Sequence, residues 1–264
     1  MNLELDNKHV LITGGSKGIG LACAEVFLEE GARVTLVSRN AANLEAAHKH
    51  LSSKHSAHNI HTIAADLQQA SAGTHVLDEA EQHFGAVDVL VNSAGAAKRT
   101  PPAELTPQVW HDAMQAKYFS YIHMIDPTIK RMAQRGKGAI VNVIGTGGKI
   151  ASPVHMPGGA ANAALMLANA GMANAYASKG IRVNAVNPGL TLTDRLQEGI
   201  AADARLAGTT PQEALQTASD RIPLGRIAQP REIADAVVYL SSARASYITG
   251  VALSMDGALT PVVF

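Results

Sequence analysis

Cysteine is nearly absent: the 264 residues hold one, Cys23. A lone thiol builds no internal disulfide framework, which fits a reducing compartment. Aromatic residues are scarce at 4%, which argues against a substrate cage made mainly by ring stacking. Net charge is absent as well, with 22 basic against 22 acidic residues. That balance removes any global electrostatic case for nucleic acid or anionic membranes. Charge of either sign is thin, at 17% of residues, against about a quarter in an average soluble domain. It is thinnest over residues 150–178, where 29 consecutive positions carry no Lys, Arg, Asp or Glu. This stretch is long enough to span a bilayer, but Ala and Gly dominate it and Asn162, Asn169 and Asn174 interrupt it. Too little Leu, Ile, Val or Phe is present to drive insertion, so it reads as a buried helix. Residues 1–8 carry Glu4 and Asp6 and no apolar run. No signal peptide is expected there, and the cytoplasm is the expected location.

What is present suits one large α/β domain spanning residues 1–264, with 47% apolar residues to fill its core. Strand and helix signals alternate. Short apolar runs at 10–12, 33–37, 60–65, 87–91, 139–144, 181–186 and 251–255 read as strands. The runs do not alternate with polar residues, so both faces of the sheet should be covered by helices. Helical patterns fall between them: 19–30, 40–54, 71–84, 107–135, the uncharged stretch, and 230–240. Pro127 lies inside the long 107–135 pattern and predicts a kink or break there. Residues 190–226 read as an insertion of short helices able to cover a site.

Between the first strand and first helix stands Thr13-Gly14-Gly15-Ser16-Lys17-Gly18-Ile19-Gly20. Glycines let a backbone turn sharply against a pyrophosphate, and the following helix N-terminus offers unpaired N–H groups to it. The strand–turn–helix placement is what gives the motif weight. With Asp66-Leu67, Asn92-Ser93-Ala94-Gly95, Asn187-Pro188-Gly189, Thr249-Gly250 and Asp256-Gly257, the chain resembles the short-chain dehydrogenase/reductase family over nearly its whole length. The resemblance implies a Rossmann-type doubly wound parallel sheet of seven strands, a nicotinamide cofactor, and a homo-oligomer, dimer or tetramer. It places Gly14, Ser16, Gly18, Ile19 and Gly20 at the pyrophosphate. Asp66 and Leu67 would flank adenine, Asn92, Ala94 and Gly95 would line the ribose, and Pro188, Gly189 and Thr191 would approach the nicotinamide. An acid at the end of the second strand would select a free ribose 2′-OH. Here Ser38-Arg39 stand there with Lys17 nearby, so NADP(H) is the expected cofactor.

The catalytic end departs from the family. Aligned on 140–144 and on Asn162-Ala163-Ala164-Leu165, the family's Ser position holds Gly145, its Tyr Gly158, its Lys Asn162 and its Asn Lys117. Tyr176 and Lys179 are three apart rather than four and stand at the far end of the helix, so they are no replacement. His155, three residues before Gly158, carries the side chain best suited to proton transfer near neutral pH. Lys117 brings a cation to the site, and Thr146 a hydroxyl. Tyr118 and Tyr121 share the helix of Lys117. His48, His50, His55, His58 and His61 crowd one segment, but without cysteine and away from the reactive end. They read as surface, and no metal is expected. Val154, Met156, Leu190 and Leu192 predict a partly apolar pocket. The expected activity is NADP(H)-dependent interconversion of a ketone and a secondary alcohol. The alternatives are a catalytically inactive NADP-binding partner or sensor, and elimination or isomerisation on the same fold.

Overall fold

The computed structural model describes residues 1–95 and 98–262. In chain order its elements are β1 (His9–Thr13), α1 (Gly18–Glu29), β2 (Arg33–Ser38), α2 (Ala41–Ser52), β3 (Ile60–Ala64), α3 (Ala72–Phe84) and β4 (Val89–Asn92). Then come α4 (Pro107–Ala113), a π-helical turn (Met114–Phe119), α5 (Ser120–Arg135), β5 (Gly138–Val143), α6 (Met156–Tyr176) and β6 (Ile181–Pro188). The chain ends with α7 (Asp194–Ala207), α8 (Pro211–Asp220), α9 (Pro230–Ser241) and β7 (Ala252–Met255). All strand pairs are parallel, in the order β3-β2-β1-β4-β5-β6-β7. This is the doubly wound seven-stranded sheet that the sequence predicts.

Successive strand residues enter two different cores, which is why the strands show no apolar–polar alternation. Val10, Ile12, Val89, Val91 and Val141 pack beneath α1, α2 and α9 with Phe27, Leu51 and Val237. Leu11, Leu90 and Ile140 pack beneath α3, α5 and α6 with Leu77, Met124, Ile129 and Leu165. Cys23 is fully buried in the first core, and burial raises its thiol pKa well above the usual range. It is a packing residue and not a nucleophile.

Two expectations are corrected. Pro127 does not break the helix; it sits inside a continuous α5. Proline removes the N–H that would bond the carbonyl of His123, and Gly73 of α3 fits against that freed carbonyl. A Cβ at Gly73 would lie 1.8 Å from the His123 oxygen. The irregularity lies instead at the π-turn. The uncharged helix α6 is also not buried all round. Pro157, Ala161, Asn162, Leu165, Asn169 and Ala173 form its inner face. Ala160, Ala163, Ala170 and Asn174 are exposed on the outside, with Leu167 78% exposed. Among the described residues, no helix is long and apolar enough to cross a membrane.

Candidate active site

Between β1 and β4 the winding direction of the sheet reverses, and ligands of open α/β sheets bind beyond the strand ends at such a point. A cleft of about 820 Å³ opens there. Gly14, Lys17, Ser38, Arg39, Asp66, Leu67, Ala94, Gly95, Lys98, Thr100, Ala113, Ala116, Ser120 and Arg195 line it.

The glycine turn is held by backbone. The N–H groups of Gly14 and Gly15 donate to the Val37 carbonyl at 2.8 and 3.3 Å. Gly14 has φ +66° and presses on the β4 end, and a Cβ at Gly20 would lie 2.2 Å from the Gly14 oxygen. Only glycine permits that approach of α1 to the turn. Lys17, the residue before α1, gives it no side-chain cap. The first N–H groups of α1, at Gly18, Ile19 and Gly20, thus keep the unpaired character that suits an anion. The cradle and the two cations Lys17 and Arg39 fit a phosphorylated dinucleotide. Ser16 donates to Ser38 at 3.0 Å and fixes the end of β2.

Asn92, expected to line the ribose, has its side chain turned into the interior. It is fully buried at the end of β4 and does not line the cleft. Its oxygen accepts from Thr13 at 3.4 Å and its amide donates to Asn142 on β5 at 3.0 Å. Asn142 donates in turn to Asn169 on α6 at 3.1 Å, and Asn169 reaches the Val251 carbonyl at 3.5 Å. A strand end buried on both faces leaves an amide no water to bond, so the asparagines bond one another. The Thr13 hydroxyl oxygen also accepts from the Ser93 and Ala94 N–H groups at 3.1 and 3.2 Å, which sets the loop leaving β4.

The catalytic end is built by the π-turn. Such a turn widens a helix by one residue and rearranges its carbonyls. Ser120 donates to the Ala116 and Lys117 carbonyls at 3.0 and 3.1 Å. Gly95, at φ +81°, lies against the same turn, where a Cβ would stand 2.1 Å from the Ala116 oxygen. Ala113, Ala116 and Ser120 face the cleft, while Lys117 turns behind that wall and is 7% exposed. Its Nζ donates to Tyr121 Oη at 2.8 Å and to the Val143 carbonyl at 3.0 Å, which Tyr121 also bonds at 2.5 Å. Burial, helped by the charge of Arg195, lowers the Lys117 pKa to about 7. Burial raises that of Tyr121, which stays a neutral phenol.

After β5, Gly145 at φ +126° leads into the turn Thr146–Gly148. Thr146 is half-buried, and its carbonyl accepts the N–H groups of Lys149 and Ile150. Asn162 of α6 points its amide at this turn: Cβ atoms at Gly145 and Gly147 would each lie 3.4 Å from its Nδ2. Its oxygen is buried without a hydrogen-bond partner among the described residues. The His155 ring covers Gly147, whose Cβ would lie 3.2 Å from its Cδ2. His155 is half-buried just before α6, and its Nδ1 is buried with no partner among the described residues. Burial, then the charges of Arg99, Arg195 and Lys117, hold its pKa below the ordinary imidazole value. A carbonyl from the adjoining loop fixes this corner, since Val154 accepts the Thr100 N–H at 2.9 Å.

A family model described as Enoyl-(Acyl carrier protein) reductase matches residues 14–260. D-threitol dehydrogenase of Mycolicibacterium smegmatis is 32% identical over 262 residues, 98% of this chain and 95% of that protein. The chain belongs to the short-chain dehydrogenase/reductase family. Among solved structures of this oxidoreductase family, L-sorbose reductase from Gluconobacter frateurii, complexed with NADPH and L-sorbose, matches over all of both chains. Its TM-score is 0.94 at 30% identity. An NADPH-bound short chain oxidoreductase from Pseudomonas aeruginosa PAO1, described as containing an atypical catalytic center, matches with a TM-score of 0.89. It is 31% identical over 98% of this chain and 99% of that one.

In this short-chain dehydrogenase the structure gathers Gly14, Lys17, Ser38, Arg39, Asp66, Leu67, Ala94 and Gly95 on one cleft. Pro188, Gly189 and Thr191 stand at the end of β6, outside that lining. There Gly189 donates to the Met255 carbonyl at 3.0 Å, and Thr191 donates to the Gly189 carbonyl at 3.4 Å. His155 and Lys117 share one electrostatic neighbourhood but are not a hydrogen-bonded pair. Tyr176 and Lys179 contact each other at the far end of α6, with Nζ 5.6 Å from the ring centre. Sequence reasoning missed Lys98, Arg99 and Arg195, which stand on loops or at a helix start, where no periodicity marks them. It also missed the π-turn, for which a helical pattern has no signature.

Proposed function

We propose that this chain interconverts a ketone and a secondary alcohol with NADP(H), and that His155 moves the proton in place of the family's tyrosine. The observation that carries the proposal is the buried, unpartnered Nδ1 of His155 beside Gly147. A buried ring nitrogen without a partner is costly unless a ligand or water meets it. Bound nicotinamide supplies or accepts the hydride. The chain's own work is to hold the substrate oxygen at His155 and to carry its proton. The lowered pKa keeps the ring neutral at pH 7, so it accepts a proton from an alcohol and, once protonated, returns one to a carbonyl. Lys117 and Asn162 hold an amine and an amide in exchanged places relative to the family. The site therefore keeps one cation, moved from α6 to the π-turn, where Lys117 polarises the β5 end through the Val143 carbonyl. Thr146 keeps a hydroxyl at the same turn. The NADPH complexes of the sorbose reductase and of the Pseudomonas oxidoreductase support the choice of cofactor.

NADPH oxidation across a panel of ketones, and NADP⁺ reduction across the matching alcohols, test the activity. Tight NADPH binding with no turnover on either panel would favour the inactive-partner reading instead. Reversing two charges, Lys17→Glu with Arg39→Asp, is expected to lower NADPH affinity at least about a hundredfold relative to NADH, since each of the two charge-assisted contacts is worth ~1.5–3 kcal/mol. Equal losses for both cofactors, read by fluorescence titration, would reject a 2′-phosphate site at these cations.

The outer face of α6 supports self-association of the protein. Its small residues and 78% exposed Leu167 offer a second copy a close, uncharged approach. Leu167→Glu is expected to convert a dimer or tetramer to a smaller species by light scattering. An unchanged mass would exclude this face as the interface.

A further inference from the structure

A cluster of rings stands at the end of the sheet away from the cleft. His9 opens β1, Arg33 opens β2, and His61 is the second residue of β3, an edge strand. The last turn of α3 lies over them. There His83 stacks on His61, with ring centres 4.0 Å apart and planes 13° from parallel. Phe84 meets His9, His61 and His83 at steep angles, at 5.4, 6.3 and 4.4 Å, and Arg33 lies over its ring at 5.5 Å. His61 is thus not the surface residue that its histidine-rich segment predicts. Its side chain is 21% exposed and its Nε2 is buried, with Glu79 Oε1 3.4 Å away but outside hydrogen-bond geometry. His9 is held differently: fully buried, with Nδ1 bonded to the Gly85 carbonyl at 2.7 Å and Nε2 to the Thr35 hydroxyl at 2.9 Å. The charged groups facing His61 are Glu79 and, when protonated, His83, both from α3; Arg33 and His9 of the neighbouring strands meet it through Phe84. Of the nearby acids, Asp88 accepts the His9 N–H, and Glu81 is engaged by Arg131 and Arg135. Burial first, then a charge on His83, hold His61 below the ordinary imidazole value against the pull of Glu79. A stacked imidazole pair tolerates one charge poorly and two charges worse.

We propose that the His61–His83 pair is an acid-sensitive latch: neutral, it holds the end of α3 on the edge strand β3, and protonated it releases both, loosening the part of the cofactor cleft that β3 feeds. β3 runs into Asp66 and Leu67, which line the cleft, and the Ala65 N–H donates to the Ser38 carbonyl at 3.0 Å on the way. This link to the cleft rests on its reading as the NADP(H) site. A base held low in the closed form binds its proton more readily once the latch opens. The latch is therefore fully closed above the ordinary imidazole value of ~6.5 and weakens as pH falls below it.

Hydrogen exchange of the whole protein at pH 7.5 and 5.5, corrected for the intrinsic rate, tests the latch. Protection over residues 60–67 and 79–84 is expected to fall about tenfold in acid, the equivalent of one unit in the pKa of one group, while that over β5 and β6 holds. His61→Phe keeps a ring on His83 and cannot titrate, so its protection is expected to change less than about twofold. His83→Gln, at an exposed position, removes the repelling charge and is expected to shrink the loss to about threefold. Equal falls in every strand would overturn the proposal. So would a tenfold loss that survives both substitutions, which would assign the acid response to His9. Saturating NADP⁺ is expected to suppress the loss over 60–67 at pH 5.5, since bound cofactor holds Asp66 and Leu67. An unsuppressed loss, with NADP⁺ bound in the same samples by equilibrium dialysis, would sever the latch from the cleft. Absence of NADP⁺ binding at both pH values would instead fail the cofactor reading, and the pH response of the two segments would still decide the latch.

Discussion

Replacing His155 with Ala is expected to lower kcat/KM about 10²- to 10⁴-fold, the usual worth of a positioned acid–base group. The pH profile gives the sharper reading. Burial and three cations hold His155 below the ordinary imidazole value. Alcohol oxidation needs the neutral ring as base. Its rate is therefore full above that depressed pKa and falls as pH drops through it. Carbonyl reduction needs the protonated ring, so its rate rises as pH drops through the same value. Both limbs should vanish in the Ala variant. Retention of the acid limb with the rate intact would assign proton transfer to another group. Lys117, whose pKa is about 7, also titrates in this range and acts on the His155 ring. Lys117→Met separates them: it removes one of the cations acting on His155, so the His155 limb is expected to move toward higher pH. An unmoved limb would show that Lys117 does not act on the ring.

Why some of this was legible in the sequence and some was not follows from particular residues. The strands at 10–12 and 139–144 are readable because burial on both faces demands unbroken apolar runs, and those runs fall within a residue or two of β1 and β5. The glycine turn is readable because no other residue tolerates Gly20 packed on the Gly14 carbonyl. The charge-poor stretch flagged α6 for the same reason that it departs from the family, since Asn162 stands where a lysine was expected. For Asn92 the motif gives the residue's address and not the direction of its side chain. At that address the amide meets Asn142 on the neighbouring strand, a long-range partner that spacing cannot reveal. Pro127 does not break α5, because the cost of a missing N–H depends on what receives the freed carbonyl. Here Gly73, from a helix fifty residues earlier in the chain, fits against it. The cations Lys98, Arg99, Arg195 and Lys117 were invisible as a group because one loop, a helix start and the π-turn carry them.

The asparagine relay carries the largest expected effect on stability. Asn142 is its centre, donating to Asn169 and accepting from Asn92, and all three side chains are buried. Asn142→Leu leaves a donor on Asn92 and an acceptor on Asn169 unpaired in the core. At ~1–3 kcal/mol for each orphan, the loss is about 4 kcal/mol. For a chain of this size that corresponds to roughly 10 °C in Tm. Asn169→Leu orphans only the Asn142 amide, because the far end of Asn169 holds the Val251 carbonyl at a long 3.5 Å. It should cost about half as much. Equal losses by calorimetry would mean that the two amides do not act in series. The relay runs under the site, from Thr13 at the phosphate turn through β4 and β5 to α6. It bonds neither His155 nor Lys117. Asn142→Leu, assayed well below its lowered Tm, should therefore keep the acid limb of the His155 profile where it was. A displaced limb would mean that the relay also sets the position of α6 against the β5 turn, and with it the His155 ring.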